Sequence, residues 1–450
     1  MLVSEFARRS GGKSVDIIDQ EIVGFATDSR EVKPGYLFIA IKGDRVDGHD
    51  YVRMALETGA VACLVERRIG GPQILVDSIE EALARFGHSL RHEFSGPVVG
   101  ITGSNGKTTT KEFVAAALSP LGAVLKNVGN KNTQYTSPLL WAGLTSETKS
   151  VVVEMGMRGF GQIAHLAEIA KPTIGVVTVV GTAHIEKVGS REGILRAKGE
   201  LLEALPDGGV AVIWREDDYY SELEAMADCR VVSFGHGVDA DCRVVGYRSD
   251  DWGRCTVRLG YRGAEAEVEL PTFGRHQALN AACAVLVACE AGVGFGDAVV
   301  ALAAADLPGM RLEIVVREGV TVLVDTYNAS PDSTVAALDA LAQGPARGRR
   351  LAILGEMKEL GDFTERGHRL VGQALARGNV DLALLTGGPT RFIYDEARSA
   401  GMRENQMVSC EELDLGAVRA FLDGAVAGDT VLIKGSRALA LESALEGWRA

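Results

Sequence analysis

The chain has 450 residues, room for about three domains of ordinary size, with 46% hydrophobic and 24% charged side chains and no low-complexity tract. A net charge of −13 argues against a nucleic-acid-binding surface and leaves local positive pockets as the way to hold an anion. No apolar run approaches 18 residues without a charge, residues 1–9 lack the apolar core of a signal peptide, and seven scattered cysteines form no C-x-x-C pair, so the expectation is a cytoplasmic protein with free thiols and no membrane span.

In the first ninety residues, Glu21–Phe25, Tyr36–Ile41 and Ala60–Val65 read as short strands, with one helix near 50–58. Two polar loops lie between them, Ala26–Gly35 and Lys42–Asp50. They suit a ligand-facing edge or two solvated turns equally well.

From residue 93 the pattern becomes α/β. Val98-Val-Gly-Ile-Thr-Gly-Ser-Asn-Gly-Lys-Thr-Thr-Thr110 is an apolar strand running into a glycine-rich turn, and Lys111–Leu118 reads as the helix that follows. Backbone N–H groups and the positive end of a helix dipole converge at such a turn, and glycines let a phosphate approach closely. Gly103, Ser104, Asn105, Gly106 and Thr109 would then line a triphosphate, Lys107 would lie on its β- and γ-phosphates, and Thr108 would reach a Mg²⁺. The spacing is a variant, G-x-x-G-x-x-G-K-T, because a strict G-x-x-x-x-G-K-[ST] loop needs glycine where this chain has Ile101.

Further strands are expected at 123–125, 150–154, 174–179, 209–214 and 230–233, then an antiparallel insert at 241–270 and a helix opening at Gly274. Leu307–Glu313 breaks the pattern. A second alternation follows, with strands at 320–325, 350–355, 381–386 and 429–434. The expected architecture is α/β in three domains: a small α/β domain (1–92), a central mostly parallel P-loop ATPase-like sheet (93–309) and a Rossmann-like domain (310–450). Glu154 ends one strand on a carboxylate, His184 lies just beyond the next, and Lys198 follows on a helix. Glu154 and His184 are each more often structural alone, but with Glu186 two residues past His184 three such groups around one phosphate loop point to a metal–nucleotide site, whereas Lys198 by itself reads as a surface lysine.

These residues, together with Asn127-Val-Gly-Asn-Lys-Asn132, Gly181-Thr-Ala-His-Ile-Glu186, Ala197-Lys-Gly-Glu200, Gly274-Arg-His-x-x-x-Asn280, Gly309-Met-Arg311, Asp325-Thr-Tyr-Asn-Ala-Ser-Pro331 and Lys434-Gly-Ser-Arg437, resemble the Mur ligases along essentially the whole chain. Asp325–Pro331, Gly355–Gly361 and the Asp28-Ser-Arg30 and Asp47-Gly-His49 loops are most similar to those of the members that add D-alanyl-D-alanine to UDP-N-acetylmuramoyl-tripeptide. The resemblance implies an ATP-dependent amide ligase that works through an acyl phosphate, in which Lys107, Glu154, His184 and Lys198 are catalytic. It implies two Mg²⁺ ions, held by Thr108, Glu154, His184 and a Lys198 carbamoylated by CO₂. It also implies that Asn280, Arg311 and Asp325 reach ATP, that the 1–92 domain binds the UDP-muramoyl end through Ser29 and Arg30, and that Asn132, Asn328, Lys434 and Ser436 meet the peptide substrates. A helix cap is the other reading of Lys434–Arg437. The chain is expected to act as a monomer.

The pattern departs from the family at Thr133-Gln-Tyr-Thr-Ser-Pro138, at Gln277, at Glu356 and at Ile213-Trp-Arg-Glu-Asp-Asp218, which lacks the usual asparagine before its acidic run. These positions bear on peptide and adenine contacts and leave the phosphate machinery intact. Two rival readings are a sister amide ligase, such as a folylpolyglutamate synthase or the ligase adding the third peptide residue, and a nucleotide-binding relative without ligase activity. The third-residue ligase would carry its own acceptor motif, which is absent, and a non-catalytic relative has no need of Lys107, Thr108, Glu154, His184 and Lys198 together.

Overall fold

The computed structural model describes every residue except 44, 45, 130, 346 and 450, and the side chain of residue 250. Asp44 and Arg45 of the second polar loop and Asn130 of the Asn127–Asn132 motif therefore lie outside the described residues. Three sheets organise the rest.

The first sheet runs, edge to edge, Lys13–Val15, Gln73–Leu75, Ala62–Val65, Tyr36–Ile39 and Gly24–Ala26, parallel except for the first pair. Ala62–Val65 is buried at every position, which is why it reads as an unbroken apolar run rather than an alternating one. Besides the expected helix, here Val52–Glu57, the helices Val3–Ser10 and Ile79–Arg91 pack together and bring Phe6 and Phe86 within 4.5 Å, centroid to centroid. Ile79–Arg91 buries Ile79, Ala82, Leu83, Phe86 and Leu90, the spacing of one helical face, and starts at Ser78, whose side chain accepts the Glu81 N–H (3.3 Å).

The central sheet has nine strands in the order Ala264–Leu270, Arg254–Tyr261, Cys242–Asp251, Arg230–Gly235, Val210–Trp214, Ile174–Val177, Val98–Thr102, Thr148–Glu154 and Ala123–Lys126. The expected antiparallel stretch is present and is continuous with this sheet: Phe234 pairs with Cys242 in parallel register, so its three strands extend the parallel sheet at one edge. Val98–Thr102 is wholly buried between Ile174–Val177 and Thr148–Glu154.

The third sheet runs Glu313–Arg317, Val320–Asp325, Thr430–Lys434, Arg350–Gly355, Leu382–Thr386 and Met407–Cys410, parallel except for its first strand. Ligands of open α/β sheets sit beyond the carboxyl ends of parallel strands. In this fold those ends of the central sheet, at Glu154 and Trp214, and the loop from Ser104 that follows the strand ending at Thr102, share one crevice with Asp325 and Lys434 of the third.

Candidate active site

The helix after the glycine turn begins at Lys107, four residues earlier than its sequence pattern suggests, so Lys107 and Thr108 occupy its first turn. Gly103 and Gly106 both have positive φ (149° and 81°). A Cβ on Gly103 would lie 1.8 Å from Thr178 Oγ1, and one on Gly106 would lie 2.9 Å from Asn280 Oδ1. Both positions therefore require glycine for conformation and for space. The loop is pinned by the Ser104 N–H donating to the Val179 carbonyl (2.9 Å) and Thr178 Oγ1 donating to that of Asn105 (2.6 Å). Lys107 Nζ folds back onto the Gly103 carbonyl (2.7 Å), and burial, with the like charge of Arg311, lowers its pKa against the pull of Glu154.

Glu154 is buried at the end of its strand, and four groups converge on it. Thr108 Oγ1 (3.2 Å) and Asn132 Nδ2 (2.8 Å) donate to Oε1, its own N–H donates to Asn127 Oδ1 (2.6 Å), and Lys111 Nζ stands 3.6 Å from Oε2. Oε2 has no hydrogen-bond partner, an acceptor left over for a cation. Lys111 was not anticipated from sequence, where it looks like an ordinary helix lysine. It is fully buried, donates to the Asn127 carbonyl (2.8 Å), and pairs with Glu112 (3.2 Å), which also pairs with Lys126. Removing one partner of a buried ion pair strands the other charge, so Lys111→Met is expected to destabilise the protein by about 3 kcal/mol or more. The measurement is the thermal midpoint; a midpoint equal to that of the parent chain would show that the cluster does not hold Glu154.

The third α/β unit closes over this loop. Arg311, stacked on Tyr327 (4.0 Å from guanidinium carbon to ring centroid), donates from Nη2 to Thr108 Oγ1 (3.0 Å). Ser330 caps the helix Pro331–Gln343 and also donates to Asn105 Oδ1 (3.1 Å). Asp332 Oδ2 accepts both the N–H and the hydroxyl of Thr182 (2.7 Å each). His184 Nδ1 meets Glu359 Oε2 at 2.8 Å, and that bond holds the Glu359 carboxyl below its usual range. Asp325 is engaged by Lys434 Nζ (2.7 Å), which also donates to the Asn328 carbonyl (3.0 Å). Nearby, burial pushes the His276 imidazole down to about 4, with Asp325 and Lys434 acting in opposite directions, so it is neutral at pH 7. Ser436 caps no helix with its side chain; its hydroxyl accepts the Lys358 N–H (2.8 Å).

A cavity of about 1330 Å³ lies between these surfaces. That exceeds the range typical of a single small-molecule site and leaves room for a nucleotide beside other substrates. It is lined by Ser104 to Thr109, Asn132, Glu154, His184, Asn280, Arg311, Asp325, Asn328, Lys434 and Ser436. Gly103, in the same loop, is not among the lining residues. Lys198 is buried rather than lining the cavity, on the helix Arg191–Glu203, where burial and the charge of Lys107 push its ammonium well below the usual lysine range. Ser29 and Arg30 lie outside the cavity, on a short turn capped by Asp28, which pairs with the exposed Arg30 (2.5 Å). The Asp47–His49 loop is internally satisfied: buried His49 meets Asp47 through Nδ1 (2.7 Å) and accepts the Glu66 N–H through Nε2 (2.9 Å). Thr133–Ser137 forms a tight turn closed by the Ser137 N–H on the Thr133 carbonyl (2.8 Å), and Gln134 and Tyr135 face the cavity.

A phosphate loop, a buried carboxylate on its threonine and a second α/β unit folded over both define an ATP-dependent enzyme of the P-loop class. Comparison with known proteins narrows this. Residues 101–288 match the Mur ligase middle domain, 310–437 the Mur ligase glutamate ligase domain, and 21–88 the Mur ligase family catalytic domain. The UDP-N-acetylmuramoyl-tripeptide–D-alanyl-D-alanine ligase of Bacillus subtilis is 33% identical, over 94% of this chain and 92% of its own. A crystal structure of MurF from Acinetobacter baumannii superposes with a TM-score of 0.88 at 27% identity, covering 99% and 98% of the two chains. MurF from Thermotoga maritima in complex with ADP does so with a TM-score of 0.80 at 30% identity, covering 95% and 97%. The chain belongs to the Mur ligase family. Among the described residues no helix is long and apolar enough to cross a membrane.

Proposed function

We propose that this chain is the cytoplasmic ligase that joins D-alanyl-D-alanine to the terminal carboxylate of UDP-N-acetylmuramoyl-tripeptide, with ATP converted to ADP and phosphate. The observation that carries the reading is the pairing of Thr108 with buried Glu154 in the first turn of the phosphate-loop helix, reached by Arg311 from the third α/β unit. The named relatives, similar over nearly their whole length, supply the substrates.

In the first step the tripeptide carboxylate attacks the γ-phosphorus of ATP, the bond to the bridging oxygen breaks, and ADP leaves behind an acyl phosphate. In the second, the dipeptide amine attacks the acyl carbon, phosphate departs, and the nitrogen loses a proton. Both steps gather anions, so the chain's work is positioning and charge neutralisation. Lys107, freed from the Gly103 carbonyl, would lie on the transferring phosphoryl group. Ser104, Asn105, Gly106 and Thr109 would offer backbone and side-chain donors, Asn280 would lie against the nucleotide beside Gly106, and Arg311 and Asp325 would contact ATP from the closing side. The contacts of Ser330, Asp332 and Glu359 would keep water from the acyl phosphate.

The unpartnered Oε2 of Glu154 fits a metal ligand, so Thr108 and Glu154 would hold one Mg²⁺, with His184 and a carbamoylated Lys198 at a second. Such ions, when bound, neutralise phosphate oxygens. Glu359 accepts from His184 Nδ1, which leaves Nε2 as the basic nitrogen for a ligand. Asn132, Asn328, Lys434 and Ser436 would face the peptide substrates, and Ser29 and Arg30 the uridine end bound by residues 1–92, with the nucleotide unit at 93–309 and the acceptor unit at 310–450. The test is phosphate release from ATP with the tripeptide substrate, with and without D-alanyl-D-alanine, while the amide product is followed by mass. Product formed only with all three present is the expected result; coupling of another amine, or none, would move the chain to a sister ligase or a non-catalytic relative.

A further inference from the structure

We propose that Asp332 is the positioning residue that couples ATP cleavage to amide formation: its carboxylate, brought by the third α/β unit, clamps the segment 179–182 that itself holds the phosphate loop. This rests on the ligase reading above and names the residue on which its coupling depends. Asp332 lies in the first turn of the helix Pro331–Gln343, whose start is fixed by reciprocal bonds between Ser330 and Ser333. From there Oδ2 accepts two bonds from buried Thr182, one from its N–H and one from its hydroxyl, each 2.7 Å long. Hydrogen bonds to a carboxylate are about twice as strong as those between neutral groups. Gly181 is shaped for this contact. Its backbone is not left-handed, yet a Cβ there would lie 2.5 Å from Asp332 Oδ2, so glycine answers to the space that the carboxylate needs.

The clamped segment reaches the phosphate loop directly. Ser104 donates its N–H to the Val179 carbonyl (2.9 Å), and its hydroxyl accepts the Gly181 N–H (2.9 Å). The other side of the segment is anchored within the central unit, where Asp217 accepts the Val180 N–H (2.8 Å) and Arg191 Nη2 donates to the Val180 carbonyl (2.9 Å). Asp332 therefore ties the third unit to a segment that is otherwise already held in place beside Ser104. With this tie made, the acceptor unit is docked while the acyl phosphate exists, and the dipeptide amine meets the acyl carbon. Without it the unit stands off for part of each cycle. Water then attacks the acyl carbon, phosphate leaves, the attacking oxygen loses a proton, and the tripeptide carboxylate is regenerated with ATP consumed and no amide made.

The experiment counts phosphate and amide in the same reaction, with both peptide substrates present, for the parent enzyme, Asp332→Ala, Thr182→Val and the double variant. Valine keeps the shape of threonine and removes only its hydroxyl. The parent is expected to release one phosphate per amide. Asp332→Ala should release about twofold more phosphate than amide, or a larger excess, with kcat for the amide lowered about tenfold, the scale of a hydrogen bond to a charged group. Thr182→Val should shift the ratio less in the same direction, and the double variant should match Asp332→Ala, because the two side chains act through one contact. The ratio is counted per turnover, so a loss of folded protein does not move it. A one-to-one ratio in Asp332→Ala, at whatever rate, or additive effects of the two substitutions, would overturn the proposal. A parent enzyme that makes no amide would instead overturn the ligase reading beneath it.

Discussion

Lys107→Ala is expected to lower kcat for ADP formation by about a thousandfold, the scale seen when one preorganised group that stabilises developing charge is removed. The loop around Lys107 is fixed by contacts that do not involve its side chain, namely Thr178 on Asn105 and the Ser104 N–H on Val179. Alanine should therefore leave the fold and the cavity in place. Since the ammonium is required on the phosphoryl group in flight, kcat and kcat/KM should fall together rather than KM alone rising. Lys107→Arg keeps the charge but must seat a larger planar fork under a loop whose glycines admit no extra atom, and it should recover little of the rate. Steady-state kinetics with both peptide substrates check the expectation. A near-normal rate for Lys107→Ala would refute the phosphate-loop assignment.

The parts of the site carried by short, continuous stretches were legible in the sequence. Gly103, Gly106, Lys107 and Thr108 follow from one strand, one turn and one helix start, and Glu154 from an apolar strand ending on a carboxylate, because local geometry alone puts these groups together. What closes the site is not local. Ser330 meets Asn105 and Asp332 meets Thr182 across more than a hundred residues of chain, and nothing in either stretch announces the other. Lys111 shows the same limit in reverse: helical position says nothing of burial, and only the approach of Asn127, Glu112 and Glu154 turns an ordinary lysine into a buried cation. The edge strands Lys13–Val15, Glu313–Arg317 and Met407–Cys410 and the interior strand Gln73–Leu75 escaped sequence pattern because three to five residues, partly polar, carry too little periodicity. Asp47-Gly-His49 lies in a loop that suits a ligand-facing edge or a solvated turn equally well on sequence. In the fold both His49 nitrogens are spent inside the protein, and Gly48 is needed because a Cβ there would lie 2.6 Å from the Ile41 carbonyl oxygen.

Lys198→Ala is the second change with a large expected effect, a loss of about a hundredfold or more in kcat, and one that short carboxylates such as acetate should partly reverse. A lysine buried beside Lys107 pays for desolvation and for like-charge repulsion, and both favour the neutral amine. A neutral amine can add CO₂: the nitrogen lone pair forms the new bond to carbon, the nitrogen releases a proton, and the product is an anionic carbamate. Such a carbamate would turn a position where a cation is disfavoured beside Lys107 into an anion that attracts it and could offer oxygen ligands to a metal ion. Alanine removes the amine but leaves space of roughly the size of the side chain, which acetate can enter. Acetate should give no rescue in Lys107→Ala, where the missing group is a cation. Parent enzyme stripped of CO₂ should lose activity and regain it with bicarbonate, and an intact-mass or carbon-13 signal at one lysine should follow the same course. Full activity in rigorously CO₂-free buffer, with no acetate rescue of Lys198→Ala, would reduce Lys198 to a buried structural amine and leave the second metal position to His184 without it.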